Sequence, residues 1–261
     1  MLDNENNIVT VGELFAGIGG LGLGLERAGM TVKWAIENDP YAAAVYRKNF
    51  PDVEVIEQDI KKVAFSGLEP VDLICGGFPC QDISYAGKGA GIEGERSGLW
   101  SEFWRAICDV RPRLALIENV PALLNRGLNV VLSDLTSLGY DAEWDCIPAS
   151  AFGAPHRRDR VFVVAYSNSD RKWGETSSDT NGRDGETLRQ EERKCIGVGS
   201  EANMAVSTLK VSGQWTVEPN VGRVANGVPK RVDRLRCLGN AVVPQVAEFV
   251  GRRIMEVYND H

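Results

Sequence analysis

The sequence predicts an α/β fold with a doubly wound, mostly parallel sheet. From residue 8 to about 165, short runs of β-branched residues alternate with helix-like stretches, which is typical of a parallel sheet covered by helices on both faces. A glycine-rich turn follows the first strand-like run. With 261 residues, of which 43% are hydrophobic, the chain is long enough to bury the core of one large domain. In such a sheet we expect ligands to bind beyond the carboxyl ends of the strands.

Each predicted element rests on a short run of sequence. The strand-like runs, in chain order, are IVTVGELFA, VKWAIEND, VEVIEQD, VDLICGG, RLALIENV, YDAEWDCI and RVFVVAY. The helix-like runs are GLGLGLERAG, PYAAAVYRKNF, LWSEFWRAICDV, GLNVVLSDLTSLG and, near the end of the chain, VPQVAEFVGRRIMEVY.

The composition changes after Tyr166. Residues 167 to about 213 are dense in Ser, Thr, Asp, Gly and Glu and show little apolar periodicity, which indicates a linker, a loop-rich insert or a partly disordered segment. We therefore divide the chain into a main domain at 1–166, a short variable region at 167–220 and a C-terminal segment at 221–261 that returns to the main domain.

Composition argues against several classes of protein. The six cysteines form no C-x-x-C pair and there are only two histidines, so we expect no metal site. Scattered single thiols fit a reducing compartment. No apolar run approaches the roughly 20 residues that span a bilayer, and the acidic, polar N-terminus is unlike a signal peptide. We therefore expect a cytoplasmic protein without a membrane partner.

The net charge and the charge distribution give conflicting evidence about nucleic-acid binding. The net charge of −7 argues weakly against a polyanionic partner, because nucleic-acid binding depends on neutralising phosphates. Basic residues nevertheless cluster at 223–237 and at 156–160. Such clusters are more often solvated faces than binding sites, so the relevant sign is whether they gather on one face of the fold.

The glycine-rich turn predicts a cofactor that contains adenosine. Gly17, Gly19 and Gly22 satisfy G-x-G-x-x-G between a strand-like run and a helix-like run, where glycines let a ligand approach the backbone amides. Glu37 lies 20 positions after Gly17, at the end of the next strand-like run, where a carboxylate can accept hydrogen bonds from ribose hydroxyls. No G-K-[ST] follows, which disfavours a phosphate-cradling ATP loop. A nicotinamide dinucleotide and S-adenosylmethionine both remain open at this point.

A thiol, an acid and two arginines are predicted to meet on the same edge of the sheet. Cys80 follows the fourth strand-like run, Glu118 follows the fifth, and Arg158 and Arg160 precede the last. A nearby arginine lowers the pKa of a thiol, and the thiolate can then add to an electron-poor ring carbon while a carboxylic acid assists at a ring nitrogen. Carbon 6 of cytosine is such an acceptor, and addition there makes carbon 5 able to take a methyl group from a sulfonium cofactor. Hydride transfer requires none of these groups.

The motifs together resemble those of the DNA cytosine-5 methyltransferase family. The resemblance is carried by LFAGIGGLGLGLERAG, ENDP, QDI, GGFPCQDIS, SGLW, ENVPALL, HRRDRVFVVA and LGNAVVPQVA, in the family's order. These blocks lie within about 12–165 and about 221–251. They imply a Rossmann-like, S-adenosylmethionine-dependent methyltransferase with a small recognition lobe, which methylates carbon 5 of a cytosine flipped out of duplex DNA.

The resemblance also implies a role for each matching residue. Cys80 resembles the nucleophile, and Glu118 resembles the acid that engages ring nitrogen 3 and the amino group of cytosine. Arg160 resembles the contact to the base carbonyl, with Arg158 supporting the catalytic loop. Among the cofactor residues, Glu37 is expected to hold the ribose and Asp59 the adenine amino group. The full implied cofactor set is Phe15, Ala16, Gly17, Ile18, Gly19, Glu37, Asn38, Asp59, Ile60, Pro79, Leu99, Asn240 and Val242.

The same resemblance implies partners and domain roles. Double-stranded DNA is the implied substrate, a restriction endonuclease of matching specificity the implied partner, and a monomer the implied state. Residues 1–166 then form the S-adenosylmethionine-binding catalytic domain, and residues 167–220 form a short target-recognition region, partly disordered. Residues 221–261 return to complete the catalytic domain.

The residues alone leave other functional interpretations open. A cytosine-5 methyltransferase acting on transfer RNA shares the core and differs in its recognition lobe. An inactive relative that only docks on DNA or on a protein keeps the same fold. A dehydrogenase leaves the thiol and the acid unexplained. Taken one at a time, Glu118 could cap the turn that follows it, and Arg158 and Arg160 could be surface charges.

The chain departs from the family pattern at two places. His156 stands where the family usually has the Gln of Q-x-R-x-R, and we expect a modest effect because histidine also donates and accepts hydrogen bonds. The region expected to read the DNA sequence spans only about 55 residues, whereas bases are read by side chains on a rigid element. A recognition region this short implies a short or loosely specified DNA target sequence, recognition by the basic residues of 223–237, or loop folding on DNA.

Overall fold

The computed structural model describes residues 8–79, 98–168 and 231–259. The prediction for Cys80 lies outside these residues, as does almost all of the predicted variable region at 167–220. The described residues contain a seven-stranded sheet with helices on both of its faces. This arrangement confirms the predicted fold class.

The sheet is parallel through its first five strands. Its strands are β1 (Thr10–Leu14), β2 (Thr31–Glu37), β3 (Glu54–Glu57), β4 (Leu73–Gly76), β5 (Leu114–Asn119), β6 (Tyr140–Pro148) and β7 (Asp159–Ser167). They lie in the order β3-β2-β1-β4-β5-β7-β6. Strands β1 to β5 pair in parallel, whereas β7 is antiparallel to both β5 and β6. The chain therefore reverses its direction of winding between β1 and β4, which is the position where open α/β sheets bind ligands.

The helices occupy the connections that the sequence predicts. They are α1 (Gly20–Arg27), α2 (Pro40–Asn49), α3 (Trp100–Val110), α4 (Leu123–Arg126), α5 (Leu128–Ser137), α6 (Arg231–Asn240) and α7 (Pro244–Asn259). Three short 3₁₀ turns lie at Ile60–Lys62, Phe65–Gly67 and Ala149–Phe152. Helices α4 and α6 are additions to the predicted set, and RVDRLRCLGN of α6 has too little apolar periodicity to suggest a helix by itself.

Alternating side chains of each strand supply two hydrophobic layers. In β5, Ala115 and Ile117 pack with the aromatic residues of α3 on one face, and Leu114 and Leu116 pack with α1 and α7 on the other. All six residues of β5 are buried, as expected for a strand covered by helices on both faces. This double burial fixes the register of the strand, because a shift by one residue would exchange its two faces.

Local signals explain where helix α2 begins. Asp39 is its N-cap, and its carboxylate accepts hydrogen bonds from the amides of Tyr41 and Ala42 at 2.9 and 3.0 Å. Pro40 follows at the first helical position, where its missing amide proton costs nothing and its fixed φ suits the helix. The sequence ENDP therefore ends a strand and starts a helix within four residues, and it brings Glu37 and Asp39 to the same edge of the sheet.

Helix α7 packs closely on helix α1 because both helices carry glycines at the contact. A Cβ atom added at Gly24 would lie 2.4 Å from the Cβ of Ala247 and 2.5 Å from the carbonyl oxygen of Pro244. One added at Gly251 would lie 2.8 Å from the Cβ of Ala28. The C-terminal helix is thereby held against the helix that follows the glycine-rich turn.

We expect the substitution Gly24→Ala to lower the free energy of unfolding by about 1–3 kcal/mol, because overpacking outweighs the roughly 1 kcal/mol gain in helix propensity. Urea unfolding followed by circular dichroism measures this change. Gly67→Ala is the matched control, since no atom lies within 4 Å of an added Cβ there. Equal stability of Gly24→Ala and the wild type would contradict this account of the helix contact.

Candidate active site

A cavity of about 640 Å³ opens at the carboxyl ends of the parallel strands. It is lined by residues that follow β1, β2, β3, β4 and β5, together with residues of the C-terminal segment at 236–242. Its volume lies within the range of small-molecule sites. It lies beside the point between β1 and β4 where the winding reverses, which is where open α/β sheets bind ligands. The parallel pairing of the strands is what gathers these five turns.

The glycine-rich turn and Glu37 form one hydrogen-bonded unit in this cavity. Glu37 is 9% exposed, and its Oε2 accepts a hydrogen bond from the amide of Gly17 at 2.7 Å. Its Oε1 accepts one from the amide of Asp39, also at 2.7 Å. Gly17 has a φ of 56°, a backbone conformation that favours glycine. The carboxylate is thus fixed in orientation while each oxygen keeps a lone pair for another donor.

Most of the implied cofactor residues line this cavity. The lining includes the Phe15 to Gly17 turn, Glu37, Asn38, Asp59, Ile60, Pro79, Leu99, Asn240 and Val242. Ile18 and Gly19 are not among the lining residues. Gly19 has a φ of 85° and precedes α1, and a Cβ added there would lie 2.4 Å from the ring of Phe50. Gly19 therefore packs closely against Phe50, on the side of the turn away from the cavity lining.

A buried ion pair lies at another part of the cavity wall. The Nε of Arg160 lies 2.8 Å from Oε1 of Glu118, and Glu118 is 7% exposed. Burial raises the pKa of the Glu118 carboxyl, and the positive charges of Arg160 and Arg158 oppose that rise. The carboxyl therefore holds a proton more readily than an exposed carboxyl would, and the two arginines limit that effect. Both members come from strands: Glu118 lies in β5 and Arg160 in the antiparallel β7.

Gly77 provides the space that the Glu118 carboxylate occupies. A Cβ atom added at Gly77 would lie 2.4 Å from Oε2 of Glu118. Phe78, the next residue, accepts a hydrogen bond from the side-chain amide of Asn119 at 3.3 Å through its backbone carbonyl. The GGFP run is thus fitted against the end of β5, and it leads directly to Cys80 in the sequence.

Arg158 lies beside the cavity lining and holds the C-terminal segment in place. Its guanidinium donates hydrogen bonds to the carbonyl oxygens of Gly239 and Ala241 at 2.6 and 2.7 Å. Its backbone has a φ of 40°, which is uncommon for a residue with a side chain. Desolvation is the main reason why the pKa of its guanidinium is lowered. The two hydrogen bonds connect the β7 end of the site to the residues that close the cavity.

A second arginine, Arg236, attaches the C-terminal segment to the start of α2. Arg236 of α6 forms an ion pair with Asp39, the N-cap of α2. Arg236 and Cys237 both line the cavity. Sequence reasoning did not single out Arg236 for this contact, because its partner is almost two hundred positions away and only the fold brings the two together.

Glu13 is a buried acid of the cavity that the sequence analysis missed. It lies in β1, is 1% exposed and lines the cavity. Its Oε2 accepts a hydrogen bond from the hydroxyl of Tyr46 at 2.7 Å, and its Oε1 accepts one from the amide of Gly22 at 3.2 Å. Burial raises the pKa of the Glu13 carboxyl to about 7. An acid inside the otherwise apolar run of a central strand was the available signal.

No helix within 8–79, 98–168 or 231–259 is long and apolar enough to cross a membrane. Within the same residues, no group of three or more His, Cys, Asp or Glu side chains is arranged to hold a metal ion.

The fold and this cavity define a class of protein. A glycine-rich turn after the first strand, a carboxylate at the end of the second and a cavity at the β1–β4 crossing are the features of a Rossmann-like, nucleotide-cofactor-binding α/β protein. The family model described as C-5 cytosine-specific DNA methylase matches residues 9–220. The chain therefore belongs to the C-5 cytosine-specific DNA methylase family.

Curated relatives share the same stretch of sequence. Type II methyltransferase M.Eco47II of Escherichia coli is 43% identical over 170 residues, which are 63% of this chain and 41% of the relative. Type II methyltransferase M2.BsuMI of Bacillus subtilis (strain 168) is 44% identical over 167 residues, 61% of this chain and 42% of the relative. The chain thus spans less than half the length of these two relatives.

Solved structures resemble the chain at the level of the fold. A protein described as a DNA modification methyltransferase encoded within an Escherichia coli prophage is 30% identical, with a TM-score of 0.52 over 62% of this chain and 47% of that one. A Spodoptera frugiperda DNMT2 mutant has a TM-score of 0.53 over 66% of this chain and 53% of that one. Its identity of 22% shows a common fold alone.

We expect the substitution Glu13→Gln to change how stability depends on pH. The pKa of Glu13 is about 7 in the fold against 4.5 for the free side chain, so its contribution to stability is fully present below pH 4.5 and is lost as pH rises through 7. The glutamine side chain of the variant does not titrate. The difference in unfolding free energy between Glu13→Gln and the wild type should therefore shift in favour of the variant by up to about 3 kcal/mol between pH 4 and pH 8. Urea titrations across that range measure this difference, and a flat profile would contradict the shifted pKa.

Proposed function

We propose that this chain is a DNA cytosine-5 methyltransferase. It transfers a methyl group from S-adenosylmethionine to carbon 5 of a cytosine flipped out of duplex DNA, through a covalent adduct of Cys80 with carbon 6 of the base. The observation that carries this proposal is the buried Glu118–Arg160 pair, which lines the same cavity as Glu37 and the glycine-rich turn. One cavity therefore offers a site for a base and a site for an adenosine.

The residues at one end of the cavity fit the proposed cofactor. The Glu37 carboxylate is held by two backbone amides and has lone pairs left for a ribose diol. Asp59 lines the cavity nearby, and its carboxylate accepts a hydrogen bond from the amide of Lys61 at 3.0 Å. A Cβ atom at Gly20 would lie 2.4 Å from the carbonyl oxygen of Val242, so this wall is built at backbone contact distance. When bound, the cofactor supplies an electrophilic methyl group.

The proposed reaction assigns each step to a residue of this chain. The thiolate of Cys80 adds to carbon 6 of cytosine, while Glu118 protonates or hydrogen-bonds ring nitrogen 3 and so neutralises or stabilises the negative charge that moves into the ring. Arg160 orients Glu118 and faces the base carbonyl. The electron pair now at carbon 5 would take the methyl group, whose bond to the sulfonium sulfur would break and leave a neutral thioether. Loss of the carbon 5 proton to a base then expels the thiolate and restores the ring.

The raised pKa of Glu118 suits this role. A carboxyl group in its own apolar pocket would hold its proton tightly, and one fully exposed would hold none at neutral pH. Burial beside Arg160, with Arg158 nearby, lies between these limits. The group is therefore suited to give a proton to the ring during addition and to take it back during elimination.

The proposal extends to the rest of the chain and to its partners. Residues 1–166 would form the catalytic domain, residues 167–220 would read the DNA target, and residues 221–261 would complete the cavity. The DNA duplex is the proposed substrate, read by a monomer in the cytoplasm. Because the relatives are named Type II methyltransferases, a restriction endonuclease of the same specificity is the proposed functional partner.

The first test uses DNA from a methylation-free host, the purified full chain and S-adenosylmethionine, with methylated positions read at single-base resolution. We expect 5-methylcytosine in a defined short context with the wild type and none with Cys80→Ala, because that variant lacks the nucleophile. The variant should bind S-adenosylmethionine as the wild type does. Methylation by Cys80→Ala would exclude the mechanism, and methyl incorporation into RNA alone would replace DNA as the substrate.

A second test asks whether Gly77 acts through Glu118. We expect Gly77→Ala to lower kcat about a hundredfold, because the added methyl group displaces the carboxylate that assists the ring. In a Glu118→Gln background, which is already slow, the same substitution should cost much less. This double-mutant cycle isolates the coupling of the two positions. Gly67→Ala serves as the control with full activity, and additive losses would show that Gly77 affects the site by another route.

A further inference from the structure

Among the three buried acids of the cavity in the described part of the chain, Glu13 has neither a positive partner nor two short hydrogen bonds from backbone amides. Glu118 pairs with Arg160, and Glu37 accepts from two backbone amides at 2.7 Å. Glu13 accepts from one hydroxyl and, at 3.2 Å, from one amide. Within the described ranges, no Lys, Arg or His forms an ion pair with it. A carboxylate at this position is therefore the least compensated charge at the cavity wall.

The groups that face Glu13 from the neighbouring elements are acidic or neutral. Glu26 faces it from α1, Glu37 from β2, Tyr46 from α2 and Cys75 from β4. The two glutamates raise its pKa further, and Tyr46 lowers it by donating a hydrogen bond. None of these groups carries a positive charge that would stabilise the ionised form of Glu13. A cation bound in the cavity would supply such a charge.

The packing around Glu13 leaves no room for its carboxylate to turn away. A Cβ atom added at Gly22 would lie 2.4 Å from Oε2 of Glu13 and 3.0 Å from the hydroxyl of Tyr46. The carboxylate is thus clamped between α1 and α2 while it lines the cavity. Movement of the carboxylate toward α1 is therefore blocked, and a change of protonation is the response to a bound charge that needs no repacking.

We propose that Glu13 is a charge-sensing residue of the cofactor cavity, which ionises when the sulfonium cofactor binds and so favours S-adenosylmethionine over the product that has lost its methyl group. This inference rests on the proposed function. S-adenosylmethionine carries a positive sulfur that the thioether product lacks, and the rest of the two molecules is the same. The charge on residue 13 is thus a physical means of telling them apart.

The proton balance of this step is simple. When the positive sulfur enters, the O–H bond of the protonated Glu13 breaks, its electron pair stays on the carboxylate oxygen and its proton passes to solvent. After methyl transfer the sulfur is neutral, and Glu13 takes a proton back from solvent. Because binding equilibria are reciprocal, the ligand that lowers the pKa of Glu13 must bind more tightly as pH rises through that range.

Isothermal titration calorimetry on the full chain tests this directly. S-adenosylmethionine and S-adenosylhomocysteine are titrated from pH 6 to pH 8, each in two buffers of different ionisation enthalpy. In the wild type we expect proton release on binding of S-adenosylmethionine only. The ratio of the affinity for S-adenosylmethionine to the affinity for S-adenosylhomocysteine should rise by about tenfold between pH 6 and pH 8. In Glu13→Gln the ratio should be flat and the difference in proton release absent.

Two further variants separate charge sensing from a role in packing. Tyr46→Phe removes the hydroxyl that stabilises the carboxylate, so the rise in the ratio should move to higher pH and not disappear. Glu26→Gln removes a neighbouring acid and should keep the pH dependence of the affinity ratio. If both ligands bind to the wild type with a ratio that does not change with pH, charge sensing is wrong and the proposed function stands. If neither ligand binds, the proposed function fails as well.

Discussion

The shared direction of strands β1 to β5 is the constraint on which the rest of the molecule depends. Parallel pairing brings five separate turns to one edge of the sheet, and the reversal of winding between β1 and β4 leaves a gap between the helices there. The antiparallel insertion of β7 adds the sixth contribution, because the start of an antiparallel strand lies at the end of its parallel neighbour. That single reversal places Arg160 against Glu118, although 42 positions separate them in the sequence.

The cavity keeps three acids out of water, and each is stabilised differently. Glu37 receives two backbone hydrogen bonds and Glu118 receives an arginine, whereas Glu13 has a tyrosine hydroxyl and one amide. Removing a carboxylate from water is costly, so these partners decide how readily each group carries charge. One cavity therefore combines a fixed hydrogen-bond acceptor, a proton-sharing acid and an acid whose charge depends on what is bound beside it.

The sequence was sufficient to predict the seven strands and five of the seven helices of the described residues in order, because each of those runs carries its own hydrophobic pattern or cap. The glycine turn with Glu37 was predictable for the same reason, since both lie at fixed offsets within one strand–helix–strand unit. Glu118 and Arg160 were identified by motif, but their contact depends on strand pairing. Glu13 and Arg236 were missed because their roles come from tertiary contacts, with Tyr46 and Asp39 respectively, that no local pattern encodes. Cys80, the predicted nucleophile, lies outside the described residues.

The hydrogen bonds from Arg158 to the carbonyls of Gly239 and Ala241 join the sheet to residues 81 and 83 positions later in the chain. Within the described ranges, every strand of the sheet lies before residue 168, but one of its hydrophobic faces packs against α7, which begins at Pro244. The residues at 236–242 that line the cavity are also added late in synthesis. A nascent chain halted before them would therefore lack both a wall of the cavity and the helix that covers one face of the sheet.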